Sequence, residues 1–335
     1  MNLLVTGAAG FIGSNFVHYW LEKHSNDKII ALDALTYAGN RENLAEGGER
    51  CRFIKGDIGD LELTEKLIGE HKTDIIVNFA AESHNSLAIT DPARFFRTNV
   101  LGTQLLLEAA RRVGVARFHH ISTCEVYGDL SLDSKESFTE VSPYLPRTPY
   151  NASKAGADHA VRAYFETFNV PTTISNCCNN YGPYQFPEKV IPLFTTLALD
   201  DRPLTLYAST KNRREWIHVL DHCRAVEQIL LKGSVGETYN VGTGEEKSIM
   251  DIADVILSTL SKPQSLKTIV PDRPGHDRRY LLDSSKIKES LGWSYEIPFH
   301  EGIKSTIEWY QDRRSWWEPL IGRSPVVEDS WKSST

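Results

Sequence analysis

Tyr150 and Lys154 stand four positions apart, where a helix is predicted to begin. Side chains four apart on a helix are neighbours on one face. A free phenol has a pKa of about 10 and is a poor base near neutral pH, but an adjacent ammonium stabilises the phenolate. The pair therefore predicts a base that removes the proton of an alcohol while the alcohol is oxidised.

Two more polar residues follow a strand-like run over residues 118–122. Thr123 could share a hydrogen bond with the same alcohol, and Glu125 offers a carboxylate a short distance away. The segment thus holds a base for an alcohol and a second base for another proton. A Tyr-x-x-x-Lys spacing also arises by chance in many helices, so its interpretation depends on the rest of the chain.

The amino terminus supplies that context with a strand over residues 2–6, a glycine-rich turn and an amphipathic helix to about Glu22. The glycines let the strand turn into a helix whose N-terminal amides face a pyrophosphate. A second strand ends in Asp33, which should accept hydrogen bonds from an adenosine ribose and repel a 2′-phosphate. We therefore predict NAD as the cofactor, against the alternative of a glycine-rich turn with an exposed Asp. The turn residues predicted to hold it are Gly7, Gly10, Phe11, Ile12 and Gly13.

The third and fourth predicted strands are followed by residues suited to the same dinucleotide. Ligands of an open parallel sheet gather at the carboxyl ends of its strands. Asp57 and Ile58 could border the adenine, and the small residues Ala80 and Ala81 let a dinucleotide pass close.

Ser83 and His84 should lie near the nicotinamide or the substrate, although a structural role such as capping is an equal alternative for His84. Asn99, in a helix predicted over 91–113, is also assigned to the cofactor site. We expect its amide to bond the backbone of the strand that leads to Thr123, or else to face water.

Strands that alternate with helices at this spacing predict an α/β fold, a doubly wound parallel Rossmann sheet with a smaller, interwoven C-terminal substrate-binding lobe. We expect residues 1–176, with returning segments at about 216–245, to bind NAD. Residues 177–335 should form the substrate lobe, and the tail after Trp317 is predicted to be loose.

Composition excludes several classes of protein. The chain of 335 residues has a net charge of −7 and no run of Lys and Arg, which argues against nucleic acid or an anionic membrane as its partner. No apolar run reaches the roughly 18 residues of a membrane span, and no basic leader precedes the first strand, so a cytoplasmic protein is expected. The five cysteines lack the spacing of a disulfide framework or a metal site.

Polar amides, aromatic residues and prolines crowd the stretch that follows Cys177 and predict a binding loop. Asn179 is placed to hydrogen-bond a substrate. Arginines occur in two later loops, at Arg214 and Arg273, and their planar forks match phosphate oxygens. They predict a clamp for a second diphosphate, with a solvated basic surface as the alternative.

These motifs carry a resemblance that covers nearly the whole chain. The matching stretches are 35–40, 81–84, 122–128, 150–154, 179–192 and 273–280. The chain resembles the extended short-chain dehydrogenase/reductases, most closely the dTDP-glucose 4,6-dehydratase family. The resemblance implies tightly held NAD, a nucleotide-diphosphohexose substrate, and a homodimer formed through two long helices, here 91–113 and 150–168.

The resemblance also implies roles. Tyr150, with Lys154 and Thr123, would take the 4-hydroxyl proton of the sugar during a transient oxidation at C4. Glu125 would remove the C5 proton, water would leave from C6, and the hydride would return. The residues implied to hold the nucleotide diphosphate are Asn179, Lys189, Arg214, Arg273 and His276, with Ser83, His84 and Glu188 also assigned to the substrate.

The chain departs from this family where the family has Ser-Thr-Asp-Glu, because Cys124 replaces the Asp that acts as general acid for the C6 hydroxyl. A thiol with a pKa of about 8.5 is a weaker acid than a carboxyl, so hydroxide departure should be slower. The loop 85–88 reads Asn-Ser-Leu-Ala instead of Val-Asp-Arg-Ser, and Asn176 replaces a usual Arg, which suggests a changed substrate. A Cys-Glu pair also resembles the nucleotide-sugar 5,6-dehydratases, whose product is a 5,6-alkene.

Three functions stay open at this point. The first is a nucleotide-sugar dehydratase that gives either the 4-keto-6-deoxy sugar or the 5,6-ene. The second is an epimerase on the same scaffold, and the third is an NAD-holding protein without turnover. The intact Tyr150, Lys154, Thr123 and Glu125 argue against the third, since a binding module has no use for matched bases.

Overall fold

The computed structural model describes residues 1–272 and 275–324. Its strands are β1 (Asn2–Thr6), β2 (Lys28–Asp33), β3 (Cys51–Lys55), β4 (Ile75–Asn78), β5 (Arg117–Thr123), β6 (Thr172–Cys177), β7 (Asn179–Tyr181), β8 (Leu204–Tyr207), β9 (Arg213–His218), β10 (Thr238–Val241), β11 (Glu246–Ser248) and β12 (Lys267–Val270).

The helices alternate with these strands. They are α1 (Phe11–Lys23), α2 (Leu61–Glu70), α3 (Asn85–Thr90), α4 (Pro92–Phe95), α5 (Thr103–Val113), α6 (Pro149–Phe168), α7 (Val190–Leu199), α8 (Val219–Lys232), α9 (Ile249–Thr259), α10 (Ser285–Leu291), α11 (Phe299–Asp312) and α12 (Arg314–Trp317). Four 3-10 helices lie within the described ranges, at Arg41–Arg50, Cys124–Tyr127, Gln264–Leu266 and Glu318–Leu320.

In the described part of the chain, seven strands form one parallel sheet in the order β10-β6-β5-β4-β1-β2-β3. The chain runs outwards from β1 through β2 and β3, and then from β4 through β5 and β6 on the other side. The order therefore reverses between β1 and β4, which is where an open α/β sheet forms its ligand crevice. This arrangement confirms the predicted doubly wound fold.

Both faces of the sheet are covered, as the apolar strands require. Leu3 and Val5 point into a cluster with residues of α1 and α8, whereas Leu4 points to the opposite cluster with residues of α2, α5 and α6. Successive strand residues face opposite sides, so a continuous apolar run fits a strand buried on both faces.

The C-terminal half contributes to both parts of the fold. Strand β10 returns to the edge of the main sheet beside β6. Strand β9 lies between β7 and β11 in a separate sheet, and β8 pairs with β12. Apolar residues of α7, α9 and α11 pack together beneath these small sheets. The interweaving expected from the sequence is therefore present.

The helix predicted over 91–113 is built from three consecutive pieces. A π-helical segment, Phe96–Gly102, joins α4 to α5. It includes Asn99, whose amide bonds to groups outside the helix, and such widened turns are frequent at functional sites.

The tail is more ordered than predicted over its first residues. Trp317 is fully buried and donates from Nε1 to Tyr310 O at 2.7 Å, and Leu320 is buried as well. Ser324 Oγ donates to Glu188 Oε2 at 2.7 Å. Aromatic packing holds the segment in place, and residues 325–335 lie outside the described part.

Within the described ranges, every helix is too short or too polar to span a lipid bilayer. The cytoplasmic location expected from the sequence stays a prediction.

Candidate active site

A cleft of about 620 Å³ runs along the carboxyl ends of the parallel strands. The glycine turn after β1 lines one end, and the loops after β6 line the other. Thr123, Glu125, Tyr150 and Lys154 lie between these ends. The predicted bases therefore face the same cavity as the predicted dinucleotide turn.

Tyr150 occupies the first turn of α6, directly after Pro149. Thr148 caps this helix, because its Oγ1 accepts from Asn151 N at 3.2 Å. The Thr123 side chain, at the end of β5, is close enough to the Tyr150 phenol to lower the pKa of that phenol. The end of one strand and the start of one helix thus meet as the sequence predicted.

Burial raises the pKa of the Tyr150 phenol well above its ordinary value, and the Glu125 carboxylate adds to that rise. The neighbouring Thr123 side chain lowers the pKa of the phenol and so acts in the opposite direction. The phenol is therefore neutral in the protein alone, and it becomes a base only when positive charge is brought next to it.

Lys154 is fixed against the strand that carries Thr123. Its Nζ donates to Ile121 O at 2.6 Å and lies 3.3 Å from His120 Nε2. Burial lowers the pKa of Lys154 to about 8, and the Asp158 carboxylate one turn further along α6 opposes that change. Because these hydrogen bonds of Lys154 run to residues of β5 and not to Tyr150, the stabilisation of a Tyr150 phenolate by Lys154 stays a prediction.

Glu125 lies in the 3-10 turn that directly follows β5. Its backbone N–H donates to Thr123 Oγ1 at 3.3 Å, and Asn85 Nδ2 donates to its Oε2 at 3.1 Å. The carboxylate is close enough to Tyr150 to influence the pKa of the phenol. The structure thus brings the two predicted bases together.

Cys124 does not join them. Its side chain is 1% exposed and packs in a hydrophobic cluster with Val126 and Ala155, and it is not among the described residues that line the cleft. Burial also raises the pKa of the thiol well above its ordinary value. The side chain faces the core in this structure, and the catalytic role expected of Cys124 stays a prediction.

Asn176 is also absent from the lining of the cleft in the described part of the chain. It is fully buried, and its Nδ2 donates to the phenol oxygens of Tyr127 at 2.7 Å and Tyr144 at 3.3 Å. Asn176 therefore makes its hydrogen bonds inside the protein. Within the described residues it has no contact with the cleft that would link it to a changed substrate.

The glycine turn packs too closely against neighbouring backbone to admit a side chain at two of its positions. Gly7 has φ +63°, and a Cβ on it would lie 2.6 Å from Ala80 N across the crevice between β1 and β4. A Cβ on Gly13 would lie 2.3 Å from Gly7 O. The turn and α1 can pack this closely only with glycine at both positions, as a dinucleotide pyrophosphate requires.

Asp33 ends β2 and lines the cleft. Its Oδ2 accepts from Ala9 N at 2.9 Å and its Oδ1 accepts from Leu35 N at 2.8 Å, which fixes the carboxylate beside the glycine turn. Burial raises its pKa, and these backbone hydrogen bonds oppose the rise. The position suits recognition of a ribose diol.

Most of the other predicted residues line the same cleft. On the dinucleotide side these are Gly10, Phe11, Ile12, Asp57, Ile58, Ala80, Ala81 and Ser83. On the substrate side they are His84, Asn179, Glu188, Lys189, Arg214 and His276.

Asn99 is an exception, because it is 1% exposed and absent from the described lining of the cleft. Its side chain bonds both backbone groups of Glu82, which follows β4, and donates to Ser153 Oγ at 2.8 Å. It therefore joins α6 to the loop after β4, and neither alternative expected from the sequence describes it.

The polar groups on the substrate side of the cleft differ in their hydrogen-bond partners. Asn179 Oδ1 is buried without a hydrogen-bond partner among the described residues, as expected of a group that awaits a ligand. Lys189 Nζ donates to Ser83 O at 3.0 Å. His84 Nδ1 accepts from Leu87 N at 3.4 Å and so caps α3, which was the structural alternative. Glu188 accepts from Tyr37 OH at 2.8 Å.

Arg214 lies in strand β9 and not in the predicted loop, and its guanidinium is less open than predicted. Arg214 donates to the backbone oxygens of Asp277 and Arg278 at 2.7 and 3.2 Å, and its guanidinium lies over the Tyr280 ring. The loop contacts thus hold Arg214 at the cleft wall. Arg273 lies outside the described residues.

Sequence reasoning missed some residues of the cleft. Cys177 lines it because β6 pairs with β5 in a register that places Cys177 opposite Thr123. Strand pairing was the signal that could have found it. Asn85 was noticed as a departure from the family, but its contact with Glu125 had no signal in the sequence.

We predict that Gly13→Ala weakens NAD binding by about tenfold or more, because the turn must open to admit the methyl group. Isothermal titration of the cofactor-free protein measures this. The control is Gly69→Ala in α2, where the added methyl would lie 4.0 Å from Val113 Cγ1 and should leave binding unchanged. Equal affinities in the two variants would contradict the assignment of the turn.

Comparison with known proteins agrees with this geometry. Residues 4–306 match the family described as GDP-mannose 4,6 dehydratase. The chain is 49% identical over 321 residues to the dTDP-glucose 4,6-dehydratase of Mycobacterium tuberculosis (strain ATCC 25618 / H37Rv), with 96% of each chain covered.

Solved structures show the same fold. The crystal structure of a dTDP-glucose 4,6-dehydratase from Streptomyces venezuelae with NAD bound covers 96% of this chain and 100% of that one, at 47% identity and a TM-score of 0.92. The UDP-glucose 4-epimerase of Thermotoga maritima is less similar, at 28% identity and a TM-score of 0.87, with 93% and 99% covered. The chain therefore belongs to the GDP-mannose 4,6 dehydratase family, the nucleotide-sugar dehydratases of the short-chain dehydrogenase/reductase type.

Proposed function

We propose that this protein is an NAD-dependent dehydratase of a nucleoside-diphosphate hexose. The observation that carries the proposal is the convergence of Tyr150, Thr123 and Glu125 on one cleft whose other end has a glycine turn. A dehydratase needs two bases on adjacent carbons, and relatives 49% identical over 96% of the chain are dehydratases. An epimerase that inverts C4 needs the first base alone, whereas one that inverts C5 would also use Glu125.

The dinucleotide end of the cleft fits NAD. The glycine turn would face the pyrophosphate, Asp33 would accept from the adenosine ribose, and Asp57 with Ile58 would border the adenine. When bound, NAD accepts a hydride from C4 of the sugar and later returns it. We propose that residues 1–176, with the segments at about 216–245, form this half of the site.

Tyr150 acts first, at the sugar 4-hydroxyl. Thr123 Oγ1 holds the phenol in place and can share a hydrogen bond with the hydroxyl. The phenolate needs positive charge nearby, because burial alone keeps the phenol neutral. The Lys154 ammonium, tied to Ile121 O within the same cleft, can supply it.

Glu125 acts second, at C5. Oxidation at C4 acidifies the C5 hydrogen, and the carboxylate removes it. Cys124 faces the core, so the proton that Glu125 takes from C5 is the one available to the departing C6 hydroxyl. One carboxyl group then serves as base and afterwards as acid, and a molecule of water leaves.

The substrate end of the cleft would hold the nucleotide diphosphate. Asn179 offers a buried amide oxygen without a partner in the described chain, and Lys189 and Arg214 bring two cations to the wall. Arg273 and His276 complete the proposed set. We propose that residues 177–335 form this half of the site.

The test of the proposal is incubation of the holoenzyme with dTDP-glucose, UDP-glucose and UDP-N-acetylglucosamine in heavy water. We expect one substrate to lose the mass of a water molecule, and proton NMR then shows whether the product is the 4-keto-6-deoxy sugar or the 5,6-ene. A change of configuration without loss of mass would overturn the proposal in favour of an epimerase.

We predict that Glu125→Gln abolishes water loss, by about 10²-fold or more, while the sugar is still oxidised at C4. The amide keeps the size of the side chain but cannot take a proton. Single-turnover absorbance of the reduced nicotinamide and product mass separate the two steps. Glu136→Gln, on an exposed loop, is the control and should behave as the wild type. Normal elimination in Glu125→Gln would assign the base elsewhere.

We propose a homodimer formed through the two long helices. Large apolar side chains are exposed on them, at 44% for Phe96, 51% for Leu101, 42% for Val113 and 48% for Phe168. Apolar groups gathered on one pair of helices are typical of a surface that another chain covers.

We predict a mass in solution of about twice the 37.8 kDa of the chain. Leu101→Asp should give a monomer, because the interface would bury an unpaired carboxylate. Leu231→Asp is the matched control, since Leu231 is 45% exposed on α8 and lies outside the proposed surface. Light scattering after size-exclusion chromatography measures both, and identical masses for the two variants would contradict this interface.

A further inference from the structure

Asn85 joins three parts of the cleft that are far apart in sequence. Its Nδ2 donates to Glu125 Oε2 at 3.1 Å, and its Oδ1 accepts from Thr148 Oγ1 at 2.9 Å. Thr148 in turn caps α6, the helix that carries Tyr150. One amide therefore contacts the carboxylate that we assign to C5 and the cap of the helix that presents the base for C4.

The three hydrogen bonds that link α6 to Glu125 through Thr148 and Asn85 all run in the same direction. Asn151 N–H donates to Thr148 Oγ1, the Thr148 hydroxyl donates to Asn85 Oδ1, and the Asn85 amide donates to Glu125. Because Thr148 occupies the amide oxygen, the NH2 group is the part of Asn85 that faces Glu125. Successive hydrogen bonds of one direction polarise one another, and this series starts at the positive end of a helix.

Four titratable groups on which the Glu125 carboxylate acts are neutral near pH 7. They are Tyr150 on α6, Cys124 on the same turn, Cys177 at the end of β6 and Tyr280 on the C-terminal loop. Burial raises the pKa of each of them, that of Cys177 to about 12. The donor from Asn85 thus acts on the carboxylate without competition from an ionised neighbour among these four groups.

We propose that Asn85 is a positioning residue that holds Glu125 ionised and directed into the cleft by linking it to the N-terminus of α6. The proposal rests on the proposed function, in which Glu125 is the base at C5. It gives a purpose to a polar residue beside Glu125, in a structure where the Cys124 side chain is buried in a hydrophobic cluster. In the proposed mechanism Glu125 acts at C5 without an acid from Cys124, and Glu125 is the carboxylate that accepts a hydrogen bond from Asn85.

The test compares Asn85→Leu and Asn85→Asp with the wild-type holoenzyme. Leu removes the donor at similar size, and Asp places a second carboxylate beside Glu125. We expect the acid limb of the pH profile for water loss to move upward by about one pH unit in Asn85→Leu and further in Asn85→Asp, so that elimination on that limb slows about tenfold or more. Oxidation at C4, followed as reduced nicotinamide in single turnover, should change little.

Two variants of Thr148, the residue whose hydroxyl donates to Asn85, separate this role from a general loss of structure. Thr148→Val breaks the hydrogen-bond series and should move the acid limb in the same direction, whereas Thr148→Ser keeps the hydroxyl and should restore the wild-type profile. Thr90→Val, on the exposed end of α3, is the matched control. An acid limb that stays in place in Asn85→Leu, or equal slowing of oxidation and elimination, would overturn the proposal.

A second measurement keeps the proposal independent of turnover. Carboxyl 13C NMR of glutamate-labelled holoenzyme, with the Glu125 signal assigned by Glu125→Gln, gives the titration of this group directly. We expect it to titrate at higher pH in Asn85→Leu, and an unchanged titration would overturn the proposal. If instead no nucleotide sugar loses water with the wild type, the proposed function fails while this titration still reports on Asn85.

Discussion

The active site depends on how firmly helix α6 is held against strand β5. The Lys154 ammonium donates to the Ile121 carbonyl, and one turn further along the helix Asp158 accepts from the Ser122 hydroxyl at 2.9 Å. Both side chains are almost fully buried, where hydrogen bonds to charged groups are strong and unpaired charges are costly. These contacts fix Tyr150 beside Thr123, and the neighbouring turn then places Glu125 in the same cleft.

The parallel pairing of the strands determines where the other side chains of the cleft lie. Strands β4, β5 and β6 end side by side, so the residues that follow them reach one edge. Asn99 then bonds the backbone of Glu82 after β4 and the hydroxyl of Ser153 on α6, which joins the loop to the catalytic helix. The side chains that line the cleft are thus supported by buried polar contacts behind them, as a preorganised site requires.

The sequence predicted the features that depend on local pattern. Apolar runs, helix periodicity and the glycine turn are properties of neighbouring residues, and they gave the sheet, the dinucleotide turn and the positions of Tyr150 and Asp33. Side-chain direction at a turn was not predictable in this way. The sequence analysis assigned Cys124 a catalytic role, whereas its side chain, in the 3-10 turn after β5, is buried in a hydrophobic cluster.

Contacts between distant residues were also beyond the sequence. Asn85 meets Glu125 and Thr148, which are 40 and 63 positions away, and only the packing of α3 near the start of α6 brings them together. Asn176 satisfies Tyr127 and Tyr144 inside the protein, so its difference from the family concerns the core. A family pattern identified these positions as unusual without saying which groups they touch.

The most direct test of the account is a crystal structure of Tyr150→Phe with NAD and the nucleotide sugar that the wild type converts. The account predicts that the sugar 4-hydroxyl lies within about 3 Å of Thr123 Oγ1 and that the Glu125 carboxylate faces C5 at similar reach. A hexose whose C5 is turned away from Glu125, or a nucleotide diphosphate seated on the glycine turn after β1, would contradict it.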